Sequence, residues 1–507
     1  MNKGPLLLVI LDGWGHSKQI NGNPLQVADL KYLNFLKTHY PQTLLQASGP
    51  AVGLNWGEAG NSEVGHFSIG SGRIIPPYDT QIDLAIDSGE LKNYPQIKKI
   101  KLHNKRIHLA GLLTSGKVHA SFRHLLYLID VLSLDNEVFL HLFTDGKDSG
   151  LKESRLLLEK LTLQLKDRPQ VKISSIVGRN TAMDRNRDWH KTKIALELMT
   201  LGIGQKTDDF QKTIAEFHAQ GVTDADIPPL TNSLVADGQV KSGDGLLFFN
   251  FREDSMRQIA HAFIDPDFNF FSRRLPAGLM IVTMTRYFEN NQIDPLFLPP
   301  DVPDTLAQIL ADSNKNQYHI AESEKYAHVT YFFNGLKDQP LDGETDIFIN
   351  STSDIEARPE MGASEITQHL VREIGRNHFD FFVANYANAD LLAHTGNFKA
   401  TVAGVEFVDK SIQQLHQIIL ETQGTLIITA DHGNVEVMTY NSGERETRHS
   451  DNPVPFILAT ETLKYKKGQP EQISGILSDI APTILELLGI PKPKTMTGQS
   501  LLPLLSR

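Results

Sequence analysis

Three separated segments carry carboxylates and imidazoles just past apolar runs. Asp12 follows Leu6–Leu11, Asp390 and His394 follow Phe381–Asn385, and Asp431 and His432 follow Thr425–Thr429. In an open α/β sheet the carboxyl ends of the strands gather at one edge, so three such ends can converge. Asp390 and His394 are four apart, which places both on one face if that segment is helical. His449 lies further on, in Thr447-Arg448-His449-Ser450. Carboxylates and imidazoles suit Mn²⁺, Zn²⁺ or Fe, and several carboxylates in one place repel unless a cation separates them. Taken singly, each aspartate reads as a turn former and each histidine as a core or surface residue; taken together they read as a two-metal site.

Ser62 stands in Gly60-Asn61-Ser62-Glu63-Val64-Gly65-His66, where small neighbours allow a ligand to approach the hydroxyl. Position 64 is Val, so the spacing is not that of a hydrolase nucleophile elbow. A serine beside a metal loses its proton without a histidine base and can attack phosphorus; the competing role is a helix N-cap. Gly13-Trp14-Gly15 and Gly70-Ser71-Gly72 lack the third glycine of a dinucleotide fingerprint. The middle of the chain supplies cations. Arg179 and Arg185 flank Asn180–Asp184, Arg252 ends the run Phe248–Phe251, Lys147 lies in Asp145–Gly150, and His119 follows Gly116–Val118. Arginine after an apolar strand is costly unless it answers an anion, and its fork fits phosphate or carboxylate.

The elements that must position these groups alternate. Apolar runs at Leu6–Leu11, Ile107–Leu113, Val138–Phe143, Ile173–Val177, Leu246–Phe251, Phe381–Asn385 and Thr425–Thr429 each pass through a turn into helix-like periodicity. This predicts α/β construction on largely parallel sheets. Leu151–Leu165 reads as a packing helix, and Asp479–Leu488 as an N-capped helix closed by Gly489. Proline doublets at Pro76-Pro77 and Pro299-Pro300 interrupt any strand or helix. They are either two surface turns or the linkers of a domain spanning 78–298, inserted into an outer domain of 1–75 plus 301–507.

The composition narrows the classes. The 507 residues suffice for two or three domains, and 49 Lys+Arg against 60 Asp+Glu leave no basic excess for nucleic acid. With zero cysteines, disulfides, thiolate metal sites and a cysteine nucleophile are excluded. No apolar run approaches the ~18 residues of a membrane span, and Asp12–Gly15 interrupts the apolar start before it could serve as a signal peptide. A cytoplasmic protein is expected, with no membrane or nucleic-acid partner.

Long segments resemble the cofactor-independent (2,3-bisphosphoglycerate-independent) phosphoglycerate mutases of the alkaline phosphatase superfamily. They are Leu11–His16, Ala47–Gly49, Gly60–His66, Ala182–Arg185, Phe249–Arg252, Ala321–Thr330, His394–Gly396 and Ala430–Asn434, in the family's order. The resemblance implies an alkaline-phosphatase-like domain interrupted by an inserted α/β transferase domain, both on mainly parallel sheets, which favours the linker reading of the prolines. It implies two divalent ions, most often Mn²⁺, and no 2,3-bisphosphoglycerate. One ion would be held by Asp12, Ser62, Asp431 and His432, the other by Asp390, His394 and His449, with Ser62 transiently phosphorylated. His119, Lys147, Asp148, Arg179, Arg185 and Arg252 correspond to substrate-binding positions and Lys325 joins them from the outer domain, with Asp148 as general acid/base. The expected reaction interconverts 3-phosphoglycerate and 2-phosphoglycerate, in glycolysis and gluconeogenesis, by a monomer. The alternative is a metal-dependent phosphomonoesterase, or a mutase for another phosphorylated hydroxy acid.

Six positions depart from the family's pattern, and two of them, Ser255 and Lys147, favour that alternative. Ser255 replaces a second arginine three residues after Arg252, Lys147 replaces an arginine, Asn180-Thr181 replace two tyrosines, and Glu58-Ala59 replace Gln-Met. If Arg252–Arg257 were helical, Arg257 would lie about 140° round from Arg252 and could not stand in for the missing arginine.

Overall fold

In the computed structural model, residues 4–103, 105–288, 293–439, 443–464 and 472–505 are described. In chain order the strands are β1 (Leu6–Leu11), β2 (Gln42–Gln46), β3 (Arg106–Leu113), β4 (Glu137–Thr144), β5 (Val171–Gly178), β6 (Gln205–Thr207), β7 (Leu230–Asn232) and β8 (Gly245–Phe248). They continue with β9 (Met280–Thr283), β10 (Gln317–Glu322), β11 (Glu344–Ile349), β12 (Phe381–Tyr386), β13 (Thr425–Thr429), β14 (Val454–Ala459) and β15 (Ile473–Ile476). Helices alternate with them, so the protein is α/β. The chain divides into two compact units, 1–77 with 300–507, and 78–299.

The first unit is built on one eight-stranded sheet in the order β11-β10-β12-β1-β13-β14-β2-β15. Its pairs are parallel except β13–β14 and β14–β2. Every residue of β1, β12 and β13 is buried, as expected of central parallel strands covered by helices on both faces. The order sets β10, β12, β1 and β13 side by side and running the same way, so four consecutive strand ends open at one edge of the sheet.

The second unit has a seven-stranded sheet, β6-β7-β5-β4-β3-β8-β9, parallel except where β7 runs against β5. The run expected at Leu246–Phe251 leaves the sheet after Phe248. Asn250 is the cause: its side-chain Oδ1 accepts from Leu112 N at 2.8 Å, taking the place of a ladder carbonyl, and Phe251 N turns to the carbonyl of His119. The helix expected from Leu151 begins at Ser154, where Asp224 accepts both the Ser154 backbone N–H and its hydroxyl. Asp479 precedes the helix Ile480–Leu488, which Gly489 closes at φ 70, but its carboxylate receives the N–H groups of Ile476 and Gln499 instead of capping that helix. The stretch Arg252–Ser255 is a turn and the helix starts at Arg257, so the angular relation drawn from a continuous helix does not hold.

Candidate active site

Asp12 follows β1, Asp431 and His432 follow β13, and Lys325 follows β10. Asp390 and His394 sit on the helix Asn388–Thr395 after β12. Ser62 is the first residue of the helix Ser62–Ser71, whose N-cap Asn61 accepts from Val64 N. The helix's positive end therefore lies beside the hydroxyl, where an anion is favoured. That helix is almost wholly buried, and its close approach depends on Gly65: a Cβ there would stand 2.5 Å from the carbonyl oxygen of Asp431. Gly13, at φ +71, serves the same end, since a Cβ would meet the Asp390 side chain at 2.8 Å.

All the groups named in the outer part of the chain meet here. Ser62 Oγ donates to Asp12 Oδ1 at 3.1 Å and lies 3.0 Å from His432 Nε2. His432 Nε2 is 3.4 Å from Asp12 and 3.5 Å from Asp431. Beside them, Asp390 Oδ1 is 3.2 Å from His394 Nε2 and 3.4 Å from His449 Nε2, with the two imidazoles 3.1 Å apart. His394 Nδ1 donates to Thr447 O and His449 Nδ1 to Gly60 O, which turns both Nε2 atoms to Asp390. Lys325 Nζ donates to Asp12 at 2.7 Å, to Asp390 at 2.7 Å and to Ser62 Oγ at 2.8 Å.

Four residues outside the expected set complete the cluster. His66, one helical turn after Ser62, donates from Nδ1 to the Ser62 carbonyl, and Asn385 Nδ2 donates to Asp12 Oδ2 at 2.6 Å. Asn434 Nδ2 donates to Asp390 Oδ1 at 2.7 Å, while buried Glu436 receives the N–H groups of Gly15 and Asn434 and ties down the loop. The four-residue spacing from Ser62 to His66 was available in the sequence; the roles of Asn385, Asn434 and Glu436 follow only from where the chain folds.

Charge decides what the cluster can hold. Burial opposes ionisation throughout, yet Asp12, Asp390 and Asp431 hold the Lys325 ammonium above the usual lysine range. Against the same burial, Asp431, Asp12 and Asp390 raise His432 to about 9. Lys325 and the histidines hold Asp390 well below the usual carboxylate range despite its burial. Asp431 Oδ2 is buried and, although 3.2 Å from His66 Nδ1, accepts no hydrogen bond, because that N–H is aimed at Ser62 O. An unpaired buried carboxylate oxygen, among three carboxylates and neutral-capable imidazoles, fits a divalent cation of the N/O-ligand kind. Ligand atoms of Asp390, His394 and His449 lie within 4.8 Å of one another, as do those of Asp12, His66 and Asp431, and of Asp12, Asp390 and His432.

In the second unit, Arg179 donates to Asp145 and to Asp148 Oδ2, each at 2.5 Å, and His119 Nε2 is 3.7 Å from Asp148. Asp254 gathers Arg185 at 2.6 Å, Arg252 at 3.6 Å and His119 at 3.8 Å. Lys147 joins only through its backbone N–H to Asp145, its side chain being exposed. Asp145 and Asp254 lie outside the expected set; Asp145 holds Arg179, and Asp254 holds Arg185 and Arg252. Ser255 is buried, with its hydroxyl 3.0 Å from His119 Nδ1, and burial followed by Arg179 lowers the His119 pKa.

Over residues 4–492 the chain matches the Metalloenzyme superfamily, and it belongs to it. Within it, the chain belongs to the 2,3-bisphosphoglycerate-independent phosphoglycerate mutases. The mutase of Synechococcus sp. (strain JA-3-3Ab) is 40% identical over 512 residues, spanning 98% of this chain and 96% of that one. That of Lawsonia intracellularis is 39% identical, spanning 99% of each. The Leishmania mexicana phosphoglycerate mutase, solved at low cobalt concentration, superposes with a TM-score of 0.71 at 27% identity over 98% of both chains. The protein is accordingly an isomerase that moves a phosphoryl group within phosphoglycerate.

Proposed function

We propose that the transfer runs through a phosphoserine at Ser62. The observation that carries this is the set of contacts to its hydroxyl: Asp12 accepts its proton, and Lys325 donates to the same oxygen. In the proposed sequence Ser62 Oγ, entering as the alkoxide and leaving again as one, forms the bond to phosphorus, the bond from phosphorus to the substrate's 3-oxygen breaks, and that oxygen takes a proton from a protonated Asp148. The glycerate 2-hydroxyl then gives its proton to Asp148 and takes the phosphoryl group from Ser62. Lys325 supports both transfers by placing positive charge against the phosphoryl oxygens. Two divalent ions, one on Asp12, Ser62, Asp431 and His432 and the other on Asp390, His394 and His449, would lower the hydroxyl's pKa and offset the phosphoryl charge.

His119, Arg179, Arg185 and Arg252, with Lys147 at their margin, are assigned to the glycerate and its carboxylate; the forked donors already engage the carboxylates of Asp148 and Asp254, the chemistry a substrate acid would borrow. Among the described residues no helix is long and apolar enough to cross a membrane. The reading extends to a cytoplasmic monomer serving glycolysis and gluconeogenesis with Mn²⁺, an ion suited to this oxygen and nitrogen set. The test is incubation with Mn²⁺ and 3-phosphoglycerate while 2-phosphoglycerate and free phosphate are followed together. 2-Phosphoglycerate without stoichiometric phosphate is expected; phosphate alone would show a phosphomonoesterase.

A further inference from the structure

The loop that carries Asp148 is held at both ends by one buried residue that lies outside the proposed reacting groups. β4 ends at Thr144, the helix Ser154–Leu165 follows, and residues 145–153 join them. Asp224, in the turn Asp224–Asp226, is fully buried. Its carbonyl accepts from Thr144 Oγ1 at 2.6 Å, where the chain leaves the sheet. Its backbone N–H donates to Leu151 O at 2.9 Å. Its carboxylate takes both donors of Ser154, Oδ2 the backbone N–H at 2.7 Å and Oδ1 the hydroxyl. His218 Nε2, on the helix Phe210–Ala219, lies 2.7 Å from the same Oδ1. A buried carboxylate is costly unless donors answer it, and a fully satisfied buried network holds its members in one arrangement.

Close packing leaves the loop no slack. Gly146, at φ +67, lies so near the turn that a Cβ would stand 2.7 Å from Ala225 N. A Cβ on Gly116 would stand 2.2 Å from Asp148 O. Asp145 Oδ1 accepts from the backbone N–H groups of Lys147 and Asp148 at 3.1 Å each, which closes the loop on itself just before Asp148.

The same short segment seats the partner of Asp148. Ile227 O accepts from Gly178 N at 2.7 Å, and a Cβ on Gly178 would stand 2.3 Å from Ala225 O. Gly178 directly precedes Arg179, whose guanidinium donates to Asp148. Residues 224–227 therefore support both the carboxylate and the arginine that binds it.

We propose that Asp224 is a positioning residue for Asp148, setting the loop so that the Asp148 carboxyl meets the hydroxyls of the substrate; this rests on the proton-transfer role proposed for Asp148. A displacement of about 1 Å in a reacting group costs on the order of 10²-fold in rate, even when the altered residue lies away from the chemistry.

Steady-state kinetics of Asp224→Asn, Asp148→Asn and the double variant, each scaled to the folded fraction, test this. Asparagine keeps the volume of Asp224 but accepts at one atom only, so a contact to Ser154 or His218 is lost. Asp148→Asn should lower kcat by about 10²- to 10⁴-fold, and Asp224→Asn by about 10²-fold. The double variant should be no slower than Asp148→Asn alone, because the loop then has no proton donor left to place. A residue that only stabilises the fold would lower Tm and leave kcat of the folded enzyme at the wild-type value, which overturns the proposal. Losses that multiply in the double variant overturn it as well, since Asp224 would then act through another group. Wild-type kcat in Asp148→Asn overturns the role of Asp148 and this proposal with it. If Asp224→Asn fails to fold, Ser154→Ala and Thr144→Val each remove one donor to Asp224; several-fold losses in kcat that vanish in the Asp148→Asn background are expected, and losses that persist there overturn the proposal.

Discussion

Lys325 Nζ stands 2.8 Å from Ser62 Oγ although 263 residues separate them, and the same ammonium reaches both Asp12 and Asp390 at 2.7 Å. One buried cation thus touches the Ser62 hydroxyl and a carboxylate of each half of the cluster. Lys325→Ala is expected to lower kcat by about 10²- to 10³-fold, the usual cost of removing a donor aimed at developing charge. Lys325→Arg should not restore it, because the planar fork cannot place one point charge among three acceptors. Steady-state kinetics at saturating Mn²⁺ decide this; wild-type kcat in Lys325→Ala would remove Lys325 from the reaction.

Ser62→Ala deletes the oxygen proposed to take the phosphoryl group. Turnover should fall on the order of 10⁴-fold or more, and intact-mass measurement after quenching wild type with substrate should show one added phosphoryl group that the variant lacks. Phosphorylation elsewhere, or activity in the variant, would exclude the serine route.

Metal affinity should weaken as pH falls. His432 is raised to about 9 by its carboxylates, and an ion on Nε2 must displace that proton. At limiting Mn²⁺, activity is expected to drop as pH is lowered and to recover on adding ion; a chelator should abolish it at every pH. A loss at low pH that excess Mn²⁺ leaves unchanged would contradict competition between proton and ion.

Ser255 occupies the place of an expected arginine and binds His119 instead. Ser255→Ala should raise KM for phosphoglycerate several-fold with kcat little changed, in line with about 1 kcal/mol for one neutral hydrogen bond. Ser255→Arg, at a position only 3% exposed, should lower stability by about 1–3 kcal/mol through overpacking. Tighter substrate binding with an unchanged Tm would show that the turn accommodates the larger side chain.

Stability should fall in mild acid through the second unit's sheet. His108 bonds His141 at 2.9 Å and Asp244 at 2.9 Å, and His141 bonds Ser175 at 2.7 Å. Burial lowers both histidine pKa values, His141 far below the usual range. The unfolded chain therefore binds more protons than the folded one below about pH 6.5, so this contribution is complete above that pH and is lost as pH drops. Urea midpoints should decline below about pH 6.5, less steeply in a His108→Gln, His141→Gln variant. Parallel slopes would contradict this.

Alternating apolar runs and turns determined the α/β class, the central strands β1, β12 and β13, and the presence of oxygen and nitrogen ligands just past them, because strand periodicity and residue chemistry are local properties. The helical spacing of Asp390 and His394 was local too. What only the tertiary structure decided is who meets whom: the placing of β10 beside β12, which brings Lys325 to Ser62; the orphaned oxygen of Asp431; Asn385, Asn434 and Glu436 as supports; and the turn at Arg252–Ser255 in place of a helix. These depend on strand order and on side chains replacing backbone partners, as Asn250 does. Contacts across hundreds of residues leave no periodicity for a linear reading to detect.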